Sequence, residues 1–457
     1  MGRKLVIYVL APLVWAVCVS VYPPDAGAQT DLERWFVLHC GTLLSIPGDA
    51  PVLKVSVIVK GDRVYEVRNG FVDPTTIERP AGVEVVAIDL RDAFVLPGLI
   101  DAHTHVSLDS RPQSPWNALD ESEADVAIRS VRSAENLLRA GVTTARDLGS
   151  SGRAVFALRD AIAEGVVPGP RLIVAGEPIS PTGGHSDETL GYPDELLPTP
   201  GAEQGIADGP IEARKAVRAQ VKRGADVIKL TATGGVLSRV DSGTGLQFFD
   251  DELRAIVDTA HLLGRKVAAH AHGVEGVKAA LRAGVDSIEH GAFLDDEAIE
   301  LFLKTGAFLV PTVLAGETVA ERAKTSGYYP RAVERKALEV GPQLKVALQR
   351  AHARGVRIAF GTDSGVSPHG ENARELAYMV ESGMKEMDVI VAATRSSAEL
   401  LGLSQEIGTI EPGKLADLIA TQRNPLVDIT ELQRVRFVMK DGQVLVEQAD
   451  IEAPRLR

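Results

Sequence analysis

The residues best able to do chemistry in this 457-residue chain stand at the ends of short apolar runs. His103 and His105 close VLPGLIDAHTH, Lys229 interrupts DVIKLTA, His270 and His272 close KVAAHAHG, His290 lies in SIEHG and Asp363 in RIAFGTDSG. Strand side chains alternate with period two, so an H-x-H pair at a strand end points both imidazoles the same way, where they can grip one divalent ion. One such pair is a weak signal; groups of this kind at several strand ends are not how core polarity is ordinarily scattered. A lysine inside Val227-Ile228-Lys229-Leu230 would pay a large desolvation cost as a buried, unpaired ammonium. Something must change its charge or pair it. Asp226 is the ordinary partner, although neighbouring strand positions face opposite ways.

The elements that hold these groups are legible around them. Between residues 97 and 400, the runs PGLIDAHTH, VTTARDLG, RLIVAGE, DVIKLTA, KVAAHAHG, SIEHG, FLVPTV and RIAFGTDSG alternate with helical stretches. That alternation is the pattern of a parallel sheet covered by helices. Eight such units predict an α/β fold, a (β/α)8 TIM-like barrel over 97–400, whose reactive groups gather at the C-terminal ends of its strands. Residues 30–96 and 401–457 are β-rich, with turn signals at Gly61-Asp62 and Asp441-Gly442. They predict antiparallel pairing and a small flanking β-sandwich domain formed by both chain ends.

Composition narrows the partners. With 45% hydrophobic and 24% charged residues the chain is no disordered polymer. Its 49 Lys+Arg against 62 Asp+Glu give −13, with no basic patch or aromatic stacking motif, so nucleic acid is not an expected partner and small molecules are. Two cysteines, Cys18 and Cys40, exclude a disulfide framework and a cysteine-based zinc site. Arg3 and Lys4 precede the apolar stretch Leu5 to Tyr22, and Ala26-Gly27-Ala28 offers small residues to a signal peptidase. Residues 1–28 are therefore expected to be an export signal, cut before Gln29, that delivers the protein to the periplasm or beyond, with no stable membrane insertion afterwards. A retained N-terminal anchor is the alternative, and a lipid-attachment site at Cys18 fits poorly behind Val17. After cleavage Cys40 is the lone thiol and reads as a small core residue.

Taken together, VLPGLIDAHTH, VIKLTATGGV, VAAHAHG, SIEHG and FGTDSG resemble the amidohydrolase superfamily of metal-dependent hydrolases, over nearly the whole mature chain including EIGTIEPGKLADLI. TGGHSD and the loop through GGVLSRVDSGTGLQF are similar to the Xaa-Pro dipeptidase-like (prolidase-like) branch, which also contains amidases that hydrolyse ochratoxin. The resemblance implies two divalent metal ions: one held by His103, His105 and Asp363, a second by His270 and His290, with Lys229, carboxylated to a carbamate, bridging them. Imidazole and oxygen ligands suit zinc first, with manganese, cobalt or iron chemically admissible. A metal-bridging hydroxide would attack the scissile carbonyl, and Asp363 would take its proton and pass one to the leaving amine. His272, two residues after His270 and facing the same cavity, is the candidate for assisting the oxyanion, a structural imidazole being the alternative.

The resemblance makes His185, in the Pro181-Thr182-Gly183-Gly184-His185 loop, a substrate-facing residue, a solvated loop histidine being the alternative; Arg239 is a candidate clamp for a substrate carboxylate, an exposed arginine being the ordinary case. The branch often carries an aromatic residue two positions after the bridging lysine, where this chain has Thr231, which leaves open how that carboxylate is held. His39, His261 and His352 lie off the strand ends and read as structural or surface groups; His369 stays open. The expected activity is amide hydrolysis of dipeptides or N-acyl amino acids by a homo-oligomer. The alternatives are a lactonase, aryl esterase or cyclic-amide hydrolase, a mononuclear enzyme if Lys229 stays an amine, and a non-catalytic exported metal-binding protein.

Overall fold

The computed structural model describes residues 34–108, 121–193, 195–197, 199–238 and 243–447; the expected export signal at 1–28, Cys18 and Arg239 lie outside the described residues. The chain opens with four strands, β1 (Arg34–Leu43), β2 (Val52–Lys60), β3 (Arg63–Asn69) and β4 (Glu84–Pro97). β2 and β3 form the hairpin signalled by Gly61-Asp62, and β1 pairs antiparallel with β2. β4, however, lies parallel to β1, from Arg34 opposite Glu84 to Leu43 opposite Val95. The expectation of antiparallel pairing throughout is corrected here. The connection from Gly70 to Val83, with its short 3-10 turn at Pro74–Thr76, carries the chain back to the starting edge, so β4 enters in the same direction as β1.

Beyond Gly98 the chain changes style. Each of the eight runs read as strands forms one: β5 (Leu99–Thr104), β6 (Val142–Asp147), β7 (Arg171–Val174), β8 (Val227–Thr231), β9 (Lys266–Ala271), β10 (Ser287–His290), β11 (Phe308–Val310) and β12 (Arg357–Ile358). They are parallel, in a three-stranded sheet β5-β6-β7 and a five-stranded sheet β8 to β12. This is an α/β, TIM-like arrangement with helices between the strands. Backbone hydrogen bonds bridge the two sheets at both edges. On one side Asp226 N donates to Val174 O (2.8 Å) and Ile179 N to Lys229 O (2.8 Å); on the other Ala102 N donates to Phe360 O (2.8 Å) and Asp363 N to His103 O (2.7 Å).

Helix ends carry the chemistry that stops them: Ser122 and Asp125 form a capping box at Glu123–Arg139, and Asp295 caps Asp296–Thr305. No described helix is long and apolar enough to cross a membrane.

The last three strands, β13 (Leu418–Thr421), β14 (Phe437–Lys440) and β15 (Gln443–Glu447), return to the first four. β13 pairs antiparallel with β4, giving one seven-stranded sheet in the order β15-β14-β13-β4-β1-β2-β3. The two chain ends therefore meet, as their similar patterning predicts. Leu38, Cys40, Val57, Leu418, Phe437 and Met439 belong to one apolar cluster, and burial drives the Cys40 thiol up to about 12. The hairpin turns abut: a side chain at Gly442 would strike Gly61 O at 2.0 Å.

Candidate metal centre

The C-terminal ends of the parallel strands converge on one cavity of about 350 Å³. Its wall includes His103 and His105 from the end of β5, Lys229 from β8, His270 and His272 from β9, His290 from β10 and Asp363 after β12. Their donor atoms fall into two triads, His103/His105/Asp363 and His270/His272/His290, each with its atoms within 4.8 Å of one another. The rings form a continuous cluster, His103 5.2 Å from His290, His270 4.6 Å from His290, and His272 stacked on His290 at 4.8 Å.

Hydrogen bonds decide which nitrogen each ring presents. His103 Nδ1 lies 2.8 Å from Glu289 Oε2 and His105 Nδ1 3.0 Å from Gly149 O, so in both rings Nδ1 carries a proton and Nε2 is the nitrogen turned to the cavity; burial lowers the His105 imidazole, but Asp363 outweighs it and holds it above its ordinary value. Those Nε2 atoms face Asp363 Oδ1 at 3.6 and 3.1 Å. His270 reverses the pattern: Nε2 donates to Gly234 O at 3.1 Å and leaves Nδ1 as the lone-pair nitrogen. His103 Nε2 and His272 Nδ1 are buried without a hydrogen-bond partner. Burial, followed by the Lys229 charge for His103, pushes that imidazole down to about 4, and burial and the neighbouring His185 push His272 down to about 3. Neutral rings with lone pairs turned on one space are the form that binds a cation, so the residues present fit divalent metal ions.

Lys229 is buried among these rings, and no hydrogen bond or ion pair joins its Nζ to a described residue. The ordinary explanation for it fails, because Asp226 faces away and pairs with Arg159 Nη1 at 2.9 Å. Burial pushes the lysine down to about 8, against the pull of Glu289 and Asp363. For Asp363 burial works upward, but His103, His105 and Lys229 outweigh it and hold the carboxyl down to about 2.

The backbone is bent to reach this geometry. His290, Thr312 and Asp363 all take left-handed conformations (φ 71, 49 and 55°), each costing about 1–3 kcal/mol unless its surroundings enforce it. Here they do. Asp101 accepts from Thr362 N and Oγ1 (3.1 and 2.7 Å), from His103 N (3.1 Å) and from Asn372 Nδ2 (2.7 Å), tying β5 to the segment that carries Asp363. Glu375 accepts from Val313 N (2.9 Å) and Leu314 N (2.5 Å), fixing the turn at Thr312, whose Oγ1 is 2.6 Å from His290 Nδ1.

Of the residues chosen from sequence, His185 also lines the cavity, its ring 4.3 Å from that of His270, and Thr231 lines it with its hydroxyl donating to Ser180 Oγ at 3.0 Å. His39, His261 and His352 sit elsewhere, bound to Val72 O, Asp286 and Asp388, and His369 Nε2 donates to Leu108 O. Reading the sequence missed the groups behind the candidate ligands, Asp101, Arg146, Glu289, Thr312 and Glu375. Arg146 Nη2 donates to Glu289 Oε1 at 3.0 Å in a fully buried pair. That pair orients His103 from behind, as a carboxylate does for a metal-binding imidazole. Glu289→Gln is expected to weaken metal binding by about 10- to 100-fold, read by chelator competition; unchanged affinity would remove Glu289 from this role.

A parallel α/β scaffold presenting histidines and an acid at its strand ends defines the class, and the chain belongs to the amidohydrolase family, whose model matches residues 94–445. Within it the chain falls in the prolidase and ochratoxinase branch. It is 33% identical to an ochratoxinase of Aspergillus niger over 95% of this chain and 93% of that one. It is similar to the solved structure of a Xaa-Pro dipeptidase with methionine bound in its active site (43% identity, TM-score 0.85, 90% of this chain and 100% of the other). The solved A. niger ochratoxinase gives 31% identity and a TM-score of 0.77 over 91% and 96% of the two chains.

Proposed function

We propose that this protein hydrolyses amide bonds of dipeptides or N-acyl amino acids, Xaa-Pro-type and ochratoxin-like substrates among them, with two divalent metal ions. The observation that carries the reading is the convergence of both donor triads on the unpartnered Lys229 within one cavity. His103, His105 and Asp363 would hold one ion, His270 and His290 the other, and Lys229 as a carbamate would stand between them, with zinc the first candidate. Bound there, the ions would acidify a water and polarise the scissile carbonyl.

The chain's own residues do the rest. Asp363, ionised and fixed by its N–H to His103 O, accepts a proton from the attacking water and returns one to the leaving amine. His272 lies beside His290 and is the group to hydrogen-bond the carbonyl oxygen as charge develops on it. Its place in the second triad supports another role, that of a third imidazole ligand. His185, packed so closely on Gly235 that a side chain there would meet its ring at 2.1 Å, borders the substrate space. The Xaa-Pro dipeptidase structure with methionine in its active site supports an amino-acid-sized product in such a cavity.

The same reading takes the two bridged parallel sheets as one (β/α)8 barrel over 97–400, with 30–96 and 401–457 as its flanking domain, and extends to export and to a homo-oligomer. The test is a screen of the metal-loaded protein against dipeptides, N-acyl amino acids, esters and lactones. Amide cleavage that a chelator abolishes and added metal restores is the expected result. Cleavage confined to esters or lactones would favour a lactonase or aryl esterase instead.

A further inference from the structure

We infer that the part of the cavity walled by two helices is a subsite for a bulky, uncharged hydrophobic side chain of the substrate; this deepens, and rests on, the amide-hydrolase reading. The helices Val313–Ala323 and Arg331–Ala353 build that part. Ala315 and Val319 on the first, and Val340 and Leu344 on the second, each stand four residues apart, so each pair shares one helix face, and all four line the cavity.

Between them the helices meet at glycine. A Cβ on Gly341 would lie 2.7 Å from Gly316 O, and one on Gly316 would lie 2.4 Å from Leu344 Cδ1. Both glycines line the cavity, and the side chains missing there let the two helices that wall it approach closely. Pro342, inside the second helix, follows directly.

The adjoining wall, Val236 and Leu237, belongs to the loop after β8 and is pinned in place against these helices. Buried Lys336 donates from Nζ to Gly235 O (3.0 Å) and Ser238 O (2.7 Å), while Ser238 Oγ donates to Gly235 O (2.9 Å). Among the described residues the only charged side chains lining the cavity are Lys229 and Asp363 at the metal centre and Glu188, which accepts from Ser151 Oγ at 2.5 Å. None of them belongs to the aliphatic part. A charged group entering it would lose its water with no charged partner among the described residues to replace it, whereas a leucine or phenylalanine side chain gains by leaving water.

Binding and turnover test this separately. Calorimetry of the metal-loaded protein with leucine, methionine, glycine and aspartate is expected to rank leucine and methionine at least about tenfold tighter than the other two. Equal binding of all four would overturn the subsite whatever the enzyme hydrolyses. In turnover, dipeptides varied at one position at a time (Gly, Leu, Phe, Asp, Lys) should reveal one position where Leu or Phe exceeds Gly by about 10- to 100-fold in kcat/KM. Amide cleavage without such a preference at either position defeats the subsite and spares the reading. Absence of amide cleavage defeats the reading, and calorimetry then judges the subsite alone. Ala315→Phe, which fills the space, should lower the leucine-to-glycine ratio at least about tenfold, and Val340→Ala, which enlarges it, should move the optimum towards phenylalanine. Unchanged ratios in both folded variants would overturn the assignment.

Discussion

Asp363→Asn is expected to reduce amide turnover by about 10²- to 10⁴-fold while metal stays bound. Asparagine keeps an oxygen for coordination and nearly the same volume, and the N–H of residue 363 still donates to His103 O. What it loses is the capacity to take up a proton. The turn that presents the side chain is held from behind by Asp101, Thr362 and Asn372, so the substitution alters chemistry rather than position. Burial alone would raise the carboxyl; the imidazoles of His103 and His105 beside it work the other way and favour the ionised form, which is the form a base requires. Steady-state kinetics beside metal analysis on the same sample checks it. Near-normal turnover with metal in place would defeat the assignment.

Lys229→Ala is expected to lose metal and, with it, at least about a hundredfold in activity, since changes merely behind a ligand already cost about 10- to 100-fold in metal affinity or activity. No described residue hydrogen-bonds or ion-pairs with its Nζ, the carboxylates of Glu289 and Asp363 act on it only at a distance, and His103, His270 and His290 surround it. Only the neutral amine adds CO₂, and burial brings the lysine down to about 8, so part of it is in that form near neutrality. A short carboxylic acid should restore some activity by placing a carboxylate where the carbamate would be. A variant with full metal content and full activity would remove the bridge.

Much of this centre was legible in the sequence because its ligands interrupt apolar strands. All eight parallel strands fall where apolar runs were read, five of them carry the candidate ligands, and those six residues line one cavity. The residues behind them were missed for a specific reason. Arg146 within VTTARD and Glu289 within SIEH are charges inside buried strands, the same signal that singled out Lys229. Desolvation would have flagged them too, but not that they pair with each other, nor that Glu289 serves His103 across 186 residues. The left-handed turns at His290 and Asp363 carried a weak signal, residue types that enter that region more readily than most and glycines close behind them, whereas Thr312 carried none. The parallel β1–β4 pairing escaped because alternating patterns report which face is buried, not strand direction.

The position of β4 has a bearing on biosynthesis. One edge of β4 is taken by β1, which precedes it, and the other by β13, which is made near the end of the chain. At about 5–20 residues per second, that second edge stays bare on the nascent polypeptide for roughly 15–60 s, an open template for intermolecular strand addition. The same strand runs through Gly98, whose N–H donates to Asp417 O, straight into the segment bearing His103. Nonsense mutations near the 3′ end of the gene would therefore leave every ligand encoded and still produce aggregates in place of enzyme.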